Sequence, residues 1–302
     1  MEATKPKVVL LSDKSIFEMN KRSLVKNKRD FEIVTEGSVE RVFYKDKVYT
    51  YVDIKDTGGR GHHLSKIFMA DVDKWLEANA QSQIRYDNNY REQMFNVDAI
   101  ERSLGNQLVM VDINDCYWRT AYLLGYITEE TYIKGMKTKA WKVGRNACIG
   151  SLSKSKVVTP YKNGEPQYKL RYVVKAKPEY QYIRNHIIWE VYNIFNELFM
   201  QFGNTFYMFL TDCLVTEYDK LKEVQKYLNG KNYRMKSKPI EFLSVDRKEK
   251  KITWLDFQSS NIDEYGRDKK APKEKYYIYS NAQVVQSQLQ SGIDYFKNKD
   301  YR

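Results

Sequence analysis

Val109-Met110-Val111-Asp112-Ile113-Asn114-Asp115-Cys116-Tyr117 is the stretch on which the fold turns. Val109 to Ile113 is a short apolar run, mostly β-branched, and it reads as a strand that delivers a carboxylate at its end. Thr205-Phe206-Tyr207-Met208-Phe209-Leu210 repeats the pattern and runs into Asp212. Between the two lies 178–202, where Ile183, Ile187, Val191, Ile194, Phe195, Leu198 and Phe199 fall near helical spacing and predict a long amphipathic helix.

Working outward, Val8 to Leu11 reads as a first strand, and 31–55 alternates as strands do. Asp56-Thr57-Gly58-Gly59-Arg60-Gly61 is a turn, without the strand-to-helix surroundings of a phosphate-binding loop. Helices are expected over 64–83 and 89–105, and from the first carboxylate strand to about 147 with breaks near Gly125 and Gly135. Residues 156–175 predict a hairpin turning at Lys162-Asn163-Gly164-Glu165-Pro166. A helix over 217–229 and a hairpin over 240–257, turning through Asp246 to Lys251, follow; the basic, tyrosine-rich end is expected to be helical from about 281. The expected class is α+β.

Composition narrows the function. The chain has 302 residues, 42% apolar and 30% charged, a balance that suits a globular protein rather than a disordered one. No apolar run approaches the roughly 20 residues of a membrane-spanning helix, so no membrane partner is expected. Cys116, Cys148 and Cys213 are far apart, and no CxxC occurs. With His62, His63 and His186 they make no zinc-ligand spacing, so a reducing cytoplasm is expected, with the cysteines as small core residues. A net charge of +12 favours polyanions, although many soluble proteins are basic for no specific purpose. The 25 tyrosines suit stacking on unpaired bases and equally suit half-buried strands.

Two strand-end carboxylates can hold a pair of divalent cations, the requirement of phosphoryl transfer. Magnesium accepts such hard oxygen ligands and leaves positions for substrate phosphates. Taken singly, an aspartate at a strand end is more often a cap or turn former.

The surroundings of these carboxylates resemble three motifs of family B DNA polymerases, most closely the protein-primed, phage-type branch. Asp112-Ile113-Asn114-Asp115-Cys116-Tyr117 resembles motif A. Lys142-Val143-Gly144-Arg145-Asn146-Ala147-Cys148-Ile149-Gly150 resembles motif B, and Leu210-Thr211-Asp212-Cys213 resembles motif C. The motifs occur in family order and cover roughly 105–260. The sequence departs from the family pattern at Trp118, Ala147, Ile149, Leu210 (an acid in motif C) and Cys213. No proofreading exonuclease motif is visible in the first 100 residues.

The resemblance implies an antiparallel palm-like sheet backed by helices, short helical fingers over about 113–147 and a small N-terminal β-rich region. It divides the chain into 1–104 and 105–302. Asp112 and Asp212 become the catalytic metal ligands, with the Ile113 carbonyl assisting and Mg²⁺ or Mn²⁺ as cofactor. Tyr117, Lys142, Arg145 and Asn146 become substrate-binding residues for nucleoside triphosphates. Lys275 and Tyr277, a K-x-Y pair, become primer/template contacts, with DNA the expected polymer. Two alternatives stand beside this reading. One is an inactive palm derivative that binds nucleic acid or a replication or virion partner. The other is a basic α+β protein whose motif matches are chance.

Overall fold

The computed structural model describes residues 7–11, 13–36, 39–51, 60–79, 92–137, 141–257 and 272–284. The fold is mixed α and β, as expected, with an antiparallel sheet backed by helices. The chain divides into two compact units, Met1–Arg85 with Tyr117–Ile187 and Tyr86–Cys116 with Ile188–Arg302. The expected break at 104/105 is therefore not where the contacts divide the chain. The segment after Cys116 packs with the N-terminal part, while the strand before it pairs with the C-terminal part.

In the first unit, β1 (Lys7–Leu11) pairs parallel to β4 (Lys47–Tyr51), which joins β3 (Val39–Tyr44) and β2 (Phe31–Glu36) in an antiparallel meander. Next to β2 lies β7 (Lys156–Lys162), which turns into β8 (Glu165–Pro166) and also pairs β9 (Tyr172–Val174). The predicted hairpin turn is present: Asn163 and Gly164 both take positive φ, the requirement of a tight two-residue connection. Helix α1 (Lys14–Lys26), which the sequence reading did not anticipate, is capped by Asp13 and buries Phe17 against Phe31, Ile33 and Val42. With Phe17 as its one fully buried side chain, this helix leaves no periodic apolar stripe in the sequence.

A helical core completes this unit. Helix α2 (Arg60–Ala78) occupies most of the stretch predicted over 64–83; residues 80–83 and the turn residues 56–59 lie outside those described. The region expected to be helical with breaks resolves into α4 (Cys116–Leu123), α5 (Glu129–Met136) and α6 (Lys142–Ser151). Leu64, Phe68 and Val72 of α2 pack with Trp118, Ala121, Tyr126, Cys148 and Leu152. Arg60 and Gly61, assigned to a turn by sequence, open α2 instead.

The second unit is one curled sheet. Of residues 89–105, expected to be helical, 89–91 lie outside those described, and 92–105 contain β5 (Gln93–Phe95) and a short α3 (Val97–Arg102). Asn96 explains the switch: its side chain caps α3 by accepting from the Ala99 N–H. The strand order is β14 (Lys273–Ile278), β13 (Lys251–Asp256), β12 (Met235–Asp246), β6 (Gln107–Ile113), β11 (Cys213–Thr216), β10 (Phe206–Leu210), β5. The sheet curls until its edges meet: the rings of Phe95 on β5 and Tyr277 on β14 lie 5.1 Å apart.

Period-two alternation sorts the strands into two faces. Leu108 and Met110 join Phe95, Met208, Ile240, Phe242 and Trp254 on the inner face, with Ala99 and Ile100 of α3. On the outer face Phe209 stacks at 5.0 Å on Phe195 of helix α7 (Pro178–Phe202), the predicted long helix. Helix α8 (Leu221–Gly230) fills the stretch predicted over 217–229. Of the C-terminal helix expected from 281, residues 281–283 form a single short turn and 285–302 lie outside the described residues.

Candidate active site

The two aspartates of interest meet in the second unit. Strand β6 pairs with β11 so that Asp112 stands opposite Cys213, and the Ile113 N–H donates to the Asp212 carbonyl over 2.9 Å. Asp212 therefore sits at the tip of the β10–β11 hairpin, immediately beside the end of β6. This local geometry is unusual. Thr211 has φ of +52°, and the Asp212 N–H donates to the Leu210 carbonyl at 2.7 Å, which makes a γ-turn centred on Thr211. A β-branched residue seldom holds a positive φ, so the tip stores backbone strain. The Thr211 hydroxyl donates to Asp212 Oδ1 at 3.1 Å and orients that carboxylate.

Strand β12 pairs with β6 on its other side and brings Lys236 opposite Asp112, giving an ion pair with Nζ to Oδ1 of 3.3 Å. Two residues along, Lys238 reaches Asp256 at the end of β13, with Nζ 2.7 Å from Oδ1 and 2.8 Å from Oδ2. Lys275 on β14 pairs with the same carboxylate. The Asp256 side chain is only 4% exposed. Burial pushes its pKa up, but bonds from Lys238 and then Lys275 outweigh that and hold it below the ordinary carboxylate value. Tyr277 donates its hydroxyl to Gln93. Register and alternation put Gln93, Asp112, Cys213, Lys236, Lys238, Asp256, Lys275 and Tyr277 on the inner face.

Two thiols, Cys213 and Cys116, lie near the carboxylates. Burial, then the negative charges of Asp212 and Asp112, push Cys213 up to about 12 and Cys116 well above its usual value. Both shifts favour the protonated thiol while the two carboxylates carry their full negative charge. Asp112 and Asp212 remain as hard oxygen donors. Among the described residues, no group of three or more His, Cys, Asp or Glu side chains gathers as a metal cage.

The remaining residues singled out by sequence lie in the first unit. Lys142 opens α6, and Lys142 and Asn146 are both exposed, one turn apart on one side of the helix. Arg145, expected beside them on substrate, turns inward: it is 5% exposed and donates to the Gly135 carbonyl. The helix period carries position 145 to the buried side, which the motif match did not reveal. Tyr117 is partly buried against the helical core.

Lys236, Lys238 and Asp256 were not anticipated. Lys236-Ser237-Lys238 carried a faint signal, two cations at strand spacing, but only the pairing register puts them beside Asp112 and Asp256. No helix among the described residues is long and apolar enough to cross a membrane. No protein-family model, curated protein or solved structure matches the chain.

Proposed function

We propose that this chain performs nucleotidyl transfer on a nucleic-acid primer and template, in the manner of the family B DNA polymerase palm it resembles. The observation that carries the reading is the meeting of the motif A and motif C strands, with Asp112 opposite Cys213 and the Ile113 N–H on the Asp212 carbonyl. Backbone pairing thereby sets two aspartates from distant parts of the chain side by side at one corner of a sheet.

Asp112 and Asp212 are the residues that would hold Mg²⁺ or Mn²⁺; such an ion lowers the pKa of a primer 3′-hydroxyl and neutralises a departing pyrophosphate. Two carboxylates suit a cation that keeps its remaining positions for water and substrate phosphates. Lys236 neutralises Asp112 beforehand and, being more than half exposed, can move away at small cost. Lys275 and Tyr277 share the Asp112 face, but Lys275 is ion-paired with Asp256 and Tyr277 packs on Phe95, so a primer contact by either would have to replace those interactions. Lys142 and Asn146 are the exposed candidates on α6 for triphosphate and base; Arg145 is assigned to packing. The absence of a disulfide among Cys116, Cys148 and Cys213 accords with a reducing cytoplasm, and the composition with a phage or mobile element.

The test is extension of a labelled primer on a DNA template with Mg²⁺ or Mn²⁺. Asp112→Asn and Asp212→Asn are each expected to reduce extension at least about a hundredfold, the scale of lost charge stabilisation in a transition state. No extension by the wild type under either metal overturns the catalytic reading.

One pair of observations favours the second reading, a non-catalytic nucleic-acid-binding derivative: Leu210 stands where an acid is usual, and Asp112 already has an ammonium partner. Retained, salt-sensitive DNA binding without extension would select it, with a replication or virion protein as the further partner to seek.

A further inference from the structure

The return arm of the β7–β9 hairpin has a composition the core does not use. Tyr168-Lys169-Leu170-Arg171-Tyr172-Val173-Val174-Lys175 is exposed throughout, with Tyr168 at 70% and Tyr172 at 48%. Large apolar side chains rarely stay in water over a continuous run without a partner. Lys169, Arg171, Lys175 and Lys177 lie within and just beyond it, and no acid occurs from Gln167 to Pro178. Among the described residues no carboxylate pairs with the side chains of Lys169, Arg171 or Lys175. Strand β9 pairs only with β7, and its outer backbone edge has no partner strand among the described residues.

We propose that residues 168–177 are a binding surface for single-stranded nucleic acid, with Tyr168 and Tyr172 stacking on bases and the four cations following the phosphates. Charge complementarity selects the occupant. Cations interleaved with accessible rings match a flexible polyanion bearing flat bases. An amphipathic membrane anchor would instead segregate its apolar side chains on one face. Here Tyr172 and Val174 point to one side of the strand and Val173 to the other. The inference deepens the proposed function and rests on its nucleic-acid half, not on its chemistry.

Binding of a fluorescent single-stranded oligonucleotide, followed by anisotropy in EDTA across a salt series, tests it. Tyr168→Ala/Tyr172→Ala is expected to weaken binding at least tenfold at every salt concentration with the slope unchanged. Lys169→Ala/Arg171→Ala/Lys175→Ala/Lys177→Ala is expected to lower the slope of log K against log salt by about 2 to 3. All six side chains are exposed, and circular dichroism checks that the variants fold. Unchanged affinity and slope in both variants overturn the proposal, as does binding to anionic phosphatidylserine vesicles with none to the oligonucleotide. Primer extension run in parallel separates the two ideas. Arm-dependent binding without extension leaves this surface standing and removes the catalysis. Extension with arm-independent binding does the reverse.

Discussion

Thr211 is the residue whose conformation the side chain itself resists. A β-branched residue at φ of +52° costs on the order of 1–3 kcal/mol, and glycine would adopt the same turn freely. Thr211→Gly is expected to stabilise the second unit by about 1 kcal/mol net, since it also gives up the hydroxyl bond to Asp212. A lower urea midpoint in the variant would mean that the bond outweighs the strain. Lys236 makes a second point at this scale. Its pair with Asp112 is solvent-exposed enough to contribute well under about 1 kcal/mol to stability. Lys236→Ala is therefore expected to leave the urea midpoint nearly unchanged while lowering the Mg²⁺ concentration needed for half-maximal primer extension. A higher requirement would mean that Lys236 assists substrate binding rather than competing for Asp112. Asp112 and Asp212 were legible as strand-end carboxylates because each closes an apolar run. Arg145 was not legible as a packing residue, because a motif match fixes residue types and says nothing of the side a helix turns inward.

Elements were legible where one period dominates. Helix α7 matches the expected 178–202 because seven apolar residues keep helical spacing, and the β7–β8 turn was announced by Asn163-Gly164. The latter site tolerates little else. Gly164 has φ of +79°, and an added Cβ would stand 2.4 Å from the Val25 carbonyl oxygen of α1. Gly164→Ala is expected to cost about 2–4 kcal/mol, combining a disfavoured backbone with a clash against main chain that cannot swing aside. Thermal or urea unfolding checks it, and a loss below about 1 kcal/mol would mean that α1 shifts at little cost. Residues 89–105 misled because β5 is too short to display an alternating pattern and α3 supplies the apolar helical positions alone. Helix α1 was missed for the opposite reason, since one buried side chain leaves no periodic stripe to read.

For the molecule as a whole, charge was legible and closure was not. The +12 balance predicts affinity for polyanions that falls steeply with salt, whatever the chemistry. Asp256 ties three strands of the curled sheet together through Lys238 and Lys275. Its depressed pKa has a definite sign. The stabilisation is present above the unfolded carboxylate value near 3.9 and is lost as pH falls through the lower folded value. Asp256→Asn is expected to cost about 1–3 kcal/mol at neutral pH and to flatten part of the acid limb of the stability profile below about pH 4. An unchanged acid limb would show that the carboxylate carries no such linkage.

The sequence by itself determined the α+β class, most of the element order, the net positive charge and the two strand-end aspartates, because these depend on composition and short-range period. Tertiary structure alone decided that β6 lies between β11 and β12, that the sheet curls until β5 meets β14, and that Lys236 neutralises Asp112. Strand pairing joins segments roughly a hundred residues apart, and no local pattern encodes which strands will meet or in what register.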